Sequence, residues 1–169
     1  MPLTLIFQPL TALDGDVVRR FLYHALFVPA GQPPFPPEIV EQPELRHYFT
    51  DWGRPGDSGV AVKQGVPTIG AAWLRLWTPD DRGYGYIDET TPELSIAVLP
   101  EYRGRGIGRQ LIGRLLDQAQ GRWLAVSLSV DRDNPAARLY TRLGFEVVSE
   151  SGTSQMMLKS LRRPAFQGS

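Results

Sequence analysis

Leu94-Ser95-Ile96-Ala97-Val98-Leu99-Pro100-Glu101-Tyr102-Arg103-Gly104-Arg105-Gly106-Ile107-Gly108-Arg109 reads as a buried strand that passes through Pro100 and a short polar turn into a helix. The helix declares itself by its apolar positions, Ile107, Leu111, Ile112, Leu115, Leu116 and Ala119, which form one core-facing stripe. Arg105, Arg109 and Arg114 cannot all lie on that stripe, so one end of the helix is basic. Its first turn carries orphan N–H groups and partial positive charge, and three alternating glycines let a ligand approach the backbone without meeting a Cβ. The chemistry favoured at such a place is phosphate binding.

Spacing narrows the choice of phosphate ligand. A dinucleotide fingerprint G-x-G-x-x-G begun at Gly104 would need glycine where Arg109 stands, and no acidic strand end follows in a parallel βαβ unit. A Walker A loop needs a Gly-Lys pair, and the only lysines are Lys63 and Lys159, neither preceded by glycine. Both nucleotide readings are therefore disfavoured.

Outward from this segment the periods alternate between strand and helix. Leu3 to Gln8 reads as a first strand, and Leu13 to Leu26 as an amphipathic helix. Residues 29–37 hold five prolines and read as a stiff extended connector. Glu38 to Phe49 reads as a short helix with Glu38, Glu41 and Glu44 on a solvated face. Gly59 to Lys63 and Thr68 to Trp77 read as a hairpin, with Trp73, Arg75 and Trp77 on one face and Ala72, Leu74 and Leu76 on the other. The loop from Thr78 to Thr91 reads as too polar for the core. Leu94 to Leu99 follows as a strand, then a helix over 105–119, a strand over 123–130, a helix over 135–143, and strands over 145–150 and 153–159. The order β-α-α-β-β-β-α-β-α-β-β is that of one mixed-sheet α/β domain over residues 1–161, with 162–169 as a flexible C-terminal tail.

The 169 residues carry 18 Lys+Arg, 18 Asp+Glu and no cysteine. Neutrality argues against bulk attraction to nucleic acid or to an anionic membrane. The missing cysteine excludes a thiolate nucleophile, a disulfide framework and Cys-ligated metal, and two distant histidines, His24 and His47, make a zinc site improbable, so no metal is expected. With neither a signal peptide nor a membrane span in view, the expected location is cytoplasmic. The neutral total hides two halves: residues 1–92 carry 7 basic and 11 acidic side chains, and residues 93–169 carry 11 basic and 7 acidic. The phosphate turn lies in the basic half, and the acidic half suits a cationic partner.

Arg103-Gly104-Arg105-Gly106-Ile107-Gly108 resembles motif A of the GNAT superfamily of N-acetyltransferases, a strand ending V-x-P followed by [QR]-x-x-G-x-[GA] at a helix start. Asn134-Pro135-Ala136-Ala137-Arg138-Leu139-Tyr140-Thr141-Arg142-Leu143-Gly144-Phe145 is similar to motif B, and is also sound helix grammar in its own right, with Asn134 as N-cap, Pro135 at N1 and Gly144 as the stop. The resemblance is specific over residues 94–145 and architectural before them. It implies a GNAT-like sheet with a splayed central strand pair and a β-bulge in the strand before the turn. It implies acetyl-CoA as cosubstrate, its pyrophosphate on Arg103, Gly104, Arg105, Gly106, Ile107, Gly108 and Arg109. The pantetheine arm would lie along Ile96, Ala97 and Val98, with the Val98 amide polarising the thioester carbonyl, and Asn134 and Tyr140 would touch the cofactor.

The resemblance sets the Tyr140 hydroxyl at the thioester sulfur, and a phenol near pKa 10 can protonate a thiolate near 8.5 at a cost of about 2 kcal/mol, so Tyr140 is the candidate general acid. Without cysteine, direct attack by a primary amine in a ternary complex is the expected mechanism. Glu93 is the best-located candidate base, with Glu89, Asp88 or a held water as alternatives. The acceptor cleft implied by the resemblance is built from the loop around Phe35, the helix 38–49 and residues 77–86, and an amine on a small molecule or a protein would fit its aromatics and acids. A homodimer is common in the proteins it resembles. An acyl-CoA-binding module without turnover is the alternative function.

Overall fold

The computed structural model describes residues 4–161; Leu3 of the expected first strand and the expected tail, 162–169, lie outside the described residues. Seven strands form one sheet: β1 (Leu5–Pro9), β2 (Ser58–Gln64), β3 (Thr68–Arg75), β4 (Glu93–Val98), β5 (Ala125–Asp131), β6 (Glu146–Ser151) and β7 (Ser154–Ser160), in the spatial order β1-β2-β3-β4-β5-β7-β6. All neighbours are antiparallel except β4 and β5. That parallel pair is joined through the helix after the glycine turn and β5 ends in Asp131, so, contrary to expectation, an acidic strand end does follow, and the dinucleotide reading is disfavoured by Arg109 alone. Four α-helices accompany it, α1 (Gly15–Ala25), α2 (Pro43–Arg46), α3 (Ile107–Ala119) and α4 (Ala136–Arg142). The expected order of elements and the splayed central pair are both present.

Each face of the sheet buries its own apolar set, as strand alternation requires. Val60, Val62, Ala72 and Leu74 pack with the stripe Ile107, Leu111, Ile112 and Leu115 of α3, and with Tyr140 and Phe145. On the opposite face Ala71, Trp73, Trp77 and Ala97 pack with Val18, Phe21 and Leu22 of α1 and with Val40, Leu45 and Tyr48. A three-layer domain results, with β4 at its centre.

Residues 38–49 are not one helix. A 3-10 turn at Pro37–Glu41 and the short α2 replace it, because Pro43 forces Gln42 out of the helical region to φ −60°, ψ 141°. The expected surface acids include Glu41, which pairs with Arg19 of α1 at 2.5 Å.

Arg75 shares its face with Trp73 and Trp77, as the alternation predicts, yet it is fully buried. Asp57 makes that possible. Arg75 Nε and Nη2 donate to the two carboxylate oxygens at 3.0 and 2.9 Å, and Nη1 donates to the carbonyls of His47 and Thr50, both at 2.8 Å. The Asp57 carboxylate also accepts the amides of Gly53 and Arg54. One buried, saturated pair therefore ties β3 to the chain that carries α2. Removing one partner of such a pair leaves an uncompensated buried charge, so Asp57→Ala is expected to lower unfolding free energy by about 3–5 kcal/mol, read from urea denaturation midpoints at unchanged m.

Candidate functional site

The site is built where β4 and β5 part. The two strands share a single register pair, Glu93↔Ser127, whereas β4 pairs with β3 over its whole length from Glu93 to Val98. Beyond that one pair the strands diverge, and a cavity of about 130 Å³ opens between them. Its walls include Leu94, Ser95 and Ile96 of β4, Leu128, Ser129 and Val130 of β5, Asn134 and Tyr140 beside α4, and Leu22, Leu45, Tyr48 and Glu93 from the other face.

Backbone parity decides which groups of β4 face the gap. The Leu99 amide donates to Ile69, on the β3 side, so the odd-numbered residues of β4 turn their N–H and C=O groups toward β3. The even-numbered Ile96 and Val98 turn theirs toward the gap, and the Val98 carbonyl accepts from Arg103 Nε at 2.9 Å. Ala97 is registered against Ala71, so of the three residues expected along an extended ligand only Ile96 and Val98 offer backbone groups to it. The expected β-bulge in β4 is absent: its ladder with β3 runs without a register shift. Divergence from β5 alone exposes the edge.

The glycine turn has the form a phosphate cradle needs. Gly104 and Gly106 adopt φ of 77° and 78°, the left-handed region, and a Cβ built at either would meet nothing within 4 Å. The glycines thus serve backbone conformation and an open approach, not tight packing. Gly106 is the N-cap of α3 and offers no capping side chain. Among the described residues the amides of 104–109 close no hydrogen bond within the protein; the first helical bond comes from Gln110 to Gly106. Arg109 is exposed, and Arg105 lies over the Tyr102 ring. Two expected basic groups are turned elsewhere. Arg103 Nε and Nη2 donate to the carbonyls of Val98 and His24, which ties the end of β4 to α1, and Arg114 lies 4.1 Å over the Phe7 ring.

Tyr140 is placed by local chain geometry. After α4 the Phe145 amide donates to the Tyr140 carbonyl and the Gly144 amide to that of Thr141, the paired bonds of a Schellman stop, with Gly144 at φ 96°. The hydrophobic contact that accompanies such stops is the Tyr140–Phe145 ring pair, centroids 6.1 Å apart. Burial pushes the Tyr140 phenol up to about 12. Asn134 stands two residues before the first helical residue, and its Oδ1 accepts the Ala136 amide at 3.0 Å.

Glu93 closes the vertex of the gap. It is buried, and desolvation raises its carboxyl to about 7 against hydrogen bonds from Tyr48 and the Gly85 amide that favour the charged form. Trp77 Nε1 also faces the carboxyl and favours its anion, although its geometry falls short of a hydrogen bond. The Gly85 carbonyl accepts from Ser127 Oγ at 2.6 Å, so one residue links the carboxylate to β5. A Cβ at Gly83 or Gly85 would sit within 2.8 Å of Glu93 atoms, so both glycines are there to admit the carboxyl. The loop 78–91 is therefore not wholly solvated as its polarity suggested. Asp88 and Glu89, the alternative bases, are exposed. Tyr48 was not anticipated: its hydroxyl accepts the Tyr84 amide at 2.7 Å and bonds Glu93. His47 pairs with Asp81 at 2.7 Å and packs against Trp77.

Residues 24–145 match the family model described as Acetyltransferase (GNAT) family. The chain is 35% identical over 102 residues to a mycothiol acetyltransferase of Acidothermus cellulolyticus, covering 55% of this chain and 28% of that protein. It is 51% identical over 55 residues to the N-alpha-acetyltransferase RimI of Mycobacterium tuberculosis, covering 32% of this chain and 34% of the other. These matches span about a third or less of the relatives' own lengths. The PaiA N-acetyltransferase of Thermoplasma acidophilum, solved in complex with coenzyme A, superposes with a TM-score of 0.66 at 18% identity over 93% of this chain and 99% of that one. With a divergent strand pair, an uncapped glycine turn and a family match across both, the chain belongs to the acetyltransferase (GNAT) family.

Proposed function

We propose that the protein transfers an acetyl group from acetyl-CoA to a primary amine by direct attack within a ternary complex. One observation carries the reading: a single cavity is lined by a carboxyl poised near neutrality, a desolvated phenol and the unpaired edge of β4. The cofactor fits what the chain presents. The amides of residues 104–109, with Arg105 and Arg109 beside them, hold the pyrophosphate, and Ile96 and Val98 pair with the pantetheine amides as a neighbouring strand would. Asn134 reaches the arm from the α4 side.

Glu93 takes the proton from the attacking ammonium or amine, directly or through a water, and at about pKa 7 it is half ionised at neutral pH. An N–H of the free β4 edge polarises the thioester carbonyl as the C–N bond forms. Tyr140 then donates its proton to the leaving sulfur as the C–S bond breaks. Against a thiolate in water a phenol at about 12 would be a poor acid, by about 5 kcal/mol. The sulfur, however, would enter the same apolar wall, where desolvation raises the thiol as it raises the phenol, and the mismatch narrows.

Tyr140→Phe is expected to lower kcat by about 10²-fold or more with acetyl-CoA affinity nearly unchanged, measured by thiol release and by isothermal titration. Full rate in that variant would remove the acid role, and acetyl-CoA binding without thiol release over any amine would favour a binding module instead.

Glu93 supplies two pH signatures. The acid limb of kcat/KM is expected near pH 7 and absent in Glu93→Gln. In the folded protein the carboxyl keeps its proton to about 7, whereas unfolded it releases it near 4.5, so its contribution to stability is complete below 4.5 and lost as pH rises through 7. Relative to the wild type, Glu93→Gln should therefore gain stability between those pH values, by about 3 kcal/mol, in denaturant unfolding at pH 4.5, 6 and 7.5.

A further inference from the structure

Resting on the acetyltransferase reading, we propose that the acceptor is a primary amine on an apolar group, with no carboxylate on the carbon that bears the nitrogen. The cavity on the α1 side of Glu93 is walled by Leu22, Ala25 and Leu26 of α1 and its end, by Leu45 of α2, and by the rings of Tyr48 and Tyr84. Among the described residues that line it, none is Lys, Arg or His, and the one carboxyl is Glu93. Two buried-side guanidiniums of neighbouring elements, those of Arg103 and Arg75, are already engaged. Arg103 donates to the Val98 and His24 carbonyls, and Arg75 to Asp57 and two carbonyls.

Two opposite consequences follow for a ligand. An ammonium arriving in this chamber meets a carboxyl and two phenol faces, which compensate its loss of water. A carboxylate beside that ammonium would leave water for leucine side chains and the oxygen of a like-charged group, with no cation to offset the loss. The chamber therefore accepts the nitrogen end of a molecule and rejects the free amino-acid form of it. An amide in place of the acid, or a hydrogen in its place, removes the penalty while leaving the apolar group to fill the space against Leu22 and Leu45. A peptide α-amine and a simple alkylamine share this chemistry.

The test is thiol release by the whole chain with four acceptors of one side-chain shape: L-leucine, L-leucinamide, 3-methylbutylamine and a leucine-initiated tetrapeptide. Both leucinamide and 3-methylbutylamine are expected to exceed leucine in kcat/KM by at least tenfold. The second comparison guards against a trivial cause, because the amine of 3-methylbutylamine is more basic than that of leucine and so is less often free. The tetrapeptide against 3-methylbutylamine tells a peptide source from a small-molecule one. Leucine equal to or better than either neutral analogue overturns the proposal. Absence of transfer to all four overturns it as well. In that event a rise in melting temperature with acetyl-CoA keeps the cofactor reading standing, and no rise removes that reading too.

Discussion

A parallel strand pair held at one point and free beyond it is a demanding arrangement, because each strand there would ordinarily complete its ladder. The pair Glu93↔Ser127 is that point, and Gly85 reinforces it from outside the sheet, its N–H donating to the Glu93 carboxylate and its carbonyl accepting from Ser127 Oγ. The vertex therefore has its own polar network, largely desolvated and satisfied. Past it, Tyr140 and Asn134 stand on one side of the opening and Tyr48 on the other. Glu93, Tyr140, Asn134 and Tyr48 are brought to one cavity by where the strands are pinned and where they are released.

The rest of the scaffold keeps the two banks apart. On one face α3 packs under β2, β3 and β4, and its uncapped N-terminus sits at the far end of β4. On the other, α1 covers β4, and Arg103 joins the end of that strand to the last turn of α1. The Arg75–Asp57 pair performs the same service for the segment that carries Leu45 and Tyr48, since His47 and Thr50 hand their carbonyls to the same guanidinium. The segment carrying Leu45 and Tyr48 and the far end of β4 are thus anchored independently to the central strands β3 and β4.

What could be read from the chain was whatever is written locally. The glycine turn, the helix stripe after it and the stop at Gly144 each involve residues within a few positions of one another, and backbone conformation, periodicity and capping are properties of such short windows. Partners far apart in the chain carry no such signal: 18 residues separate Arg75 and Asp57, 34 His47 and Asp81, 42 Ser127 and Gly85, and 79 Arg103 and His24. An arginine on the same face as two tryptophans and a Gly-Tyr-Gly-Tyr run in an otherwise polar loop were the available hints, and both mark places where tertiary structure inverts local character. Pro43, conversely, was a local signal that breaks the helix expected across it.

The opening between β4 and β5 also bears on how the chain avoids its neighbours. Any strand with unpaired amides is a template for another chain, and an outer edge such as β6, exposed along its length, presents that hazard directly. The N–H groups of Ile96 and Val98, which find no partner among the described residues, are of a different kind. They lie inside a wedge closed at its vertex, with helices packed on both sides of the sheet, so another chain does not meet them as it meets an outer edge. The molecule thereby keeps a permanently receptive strand edge at its centre without offering it for aggregation.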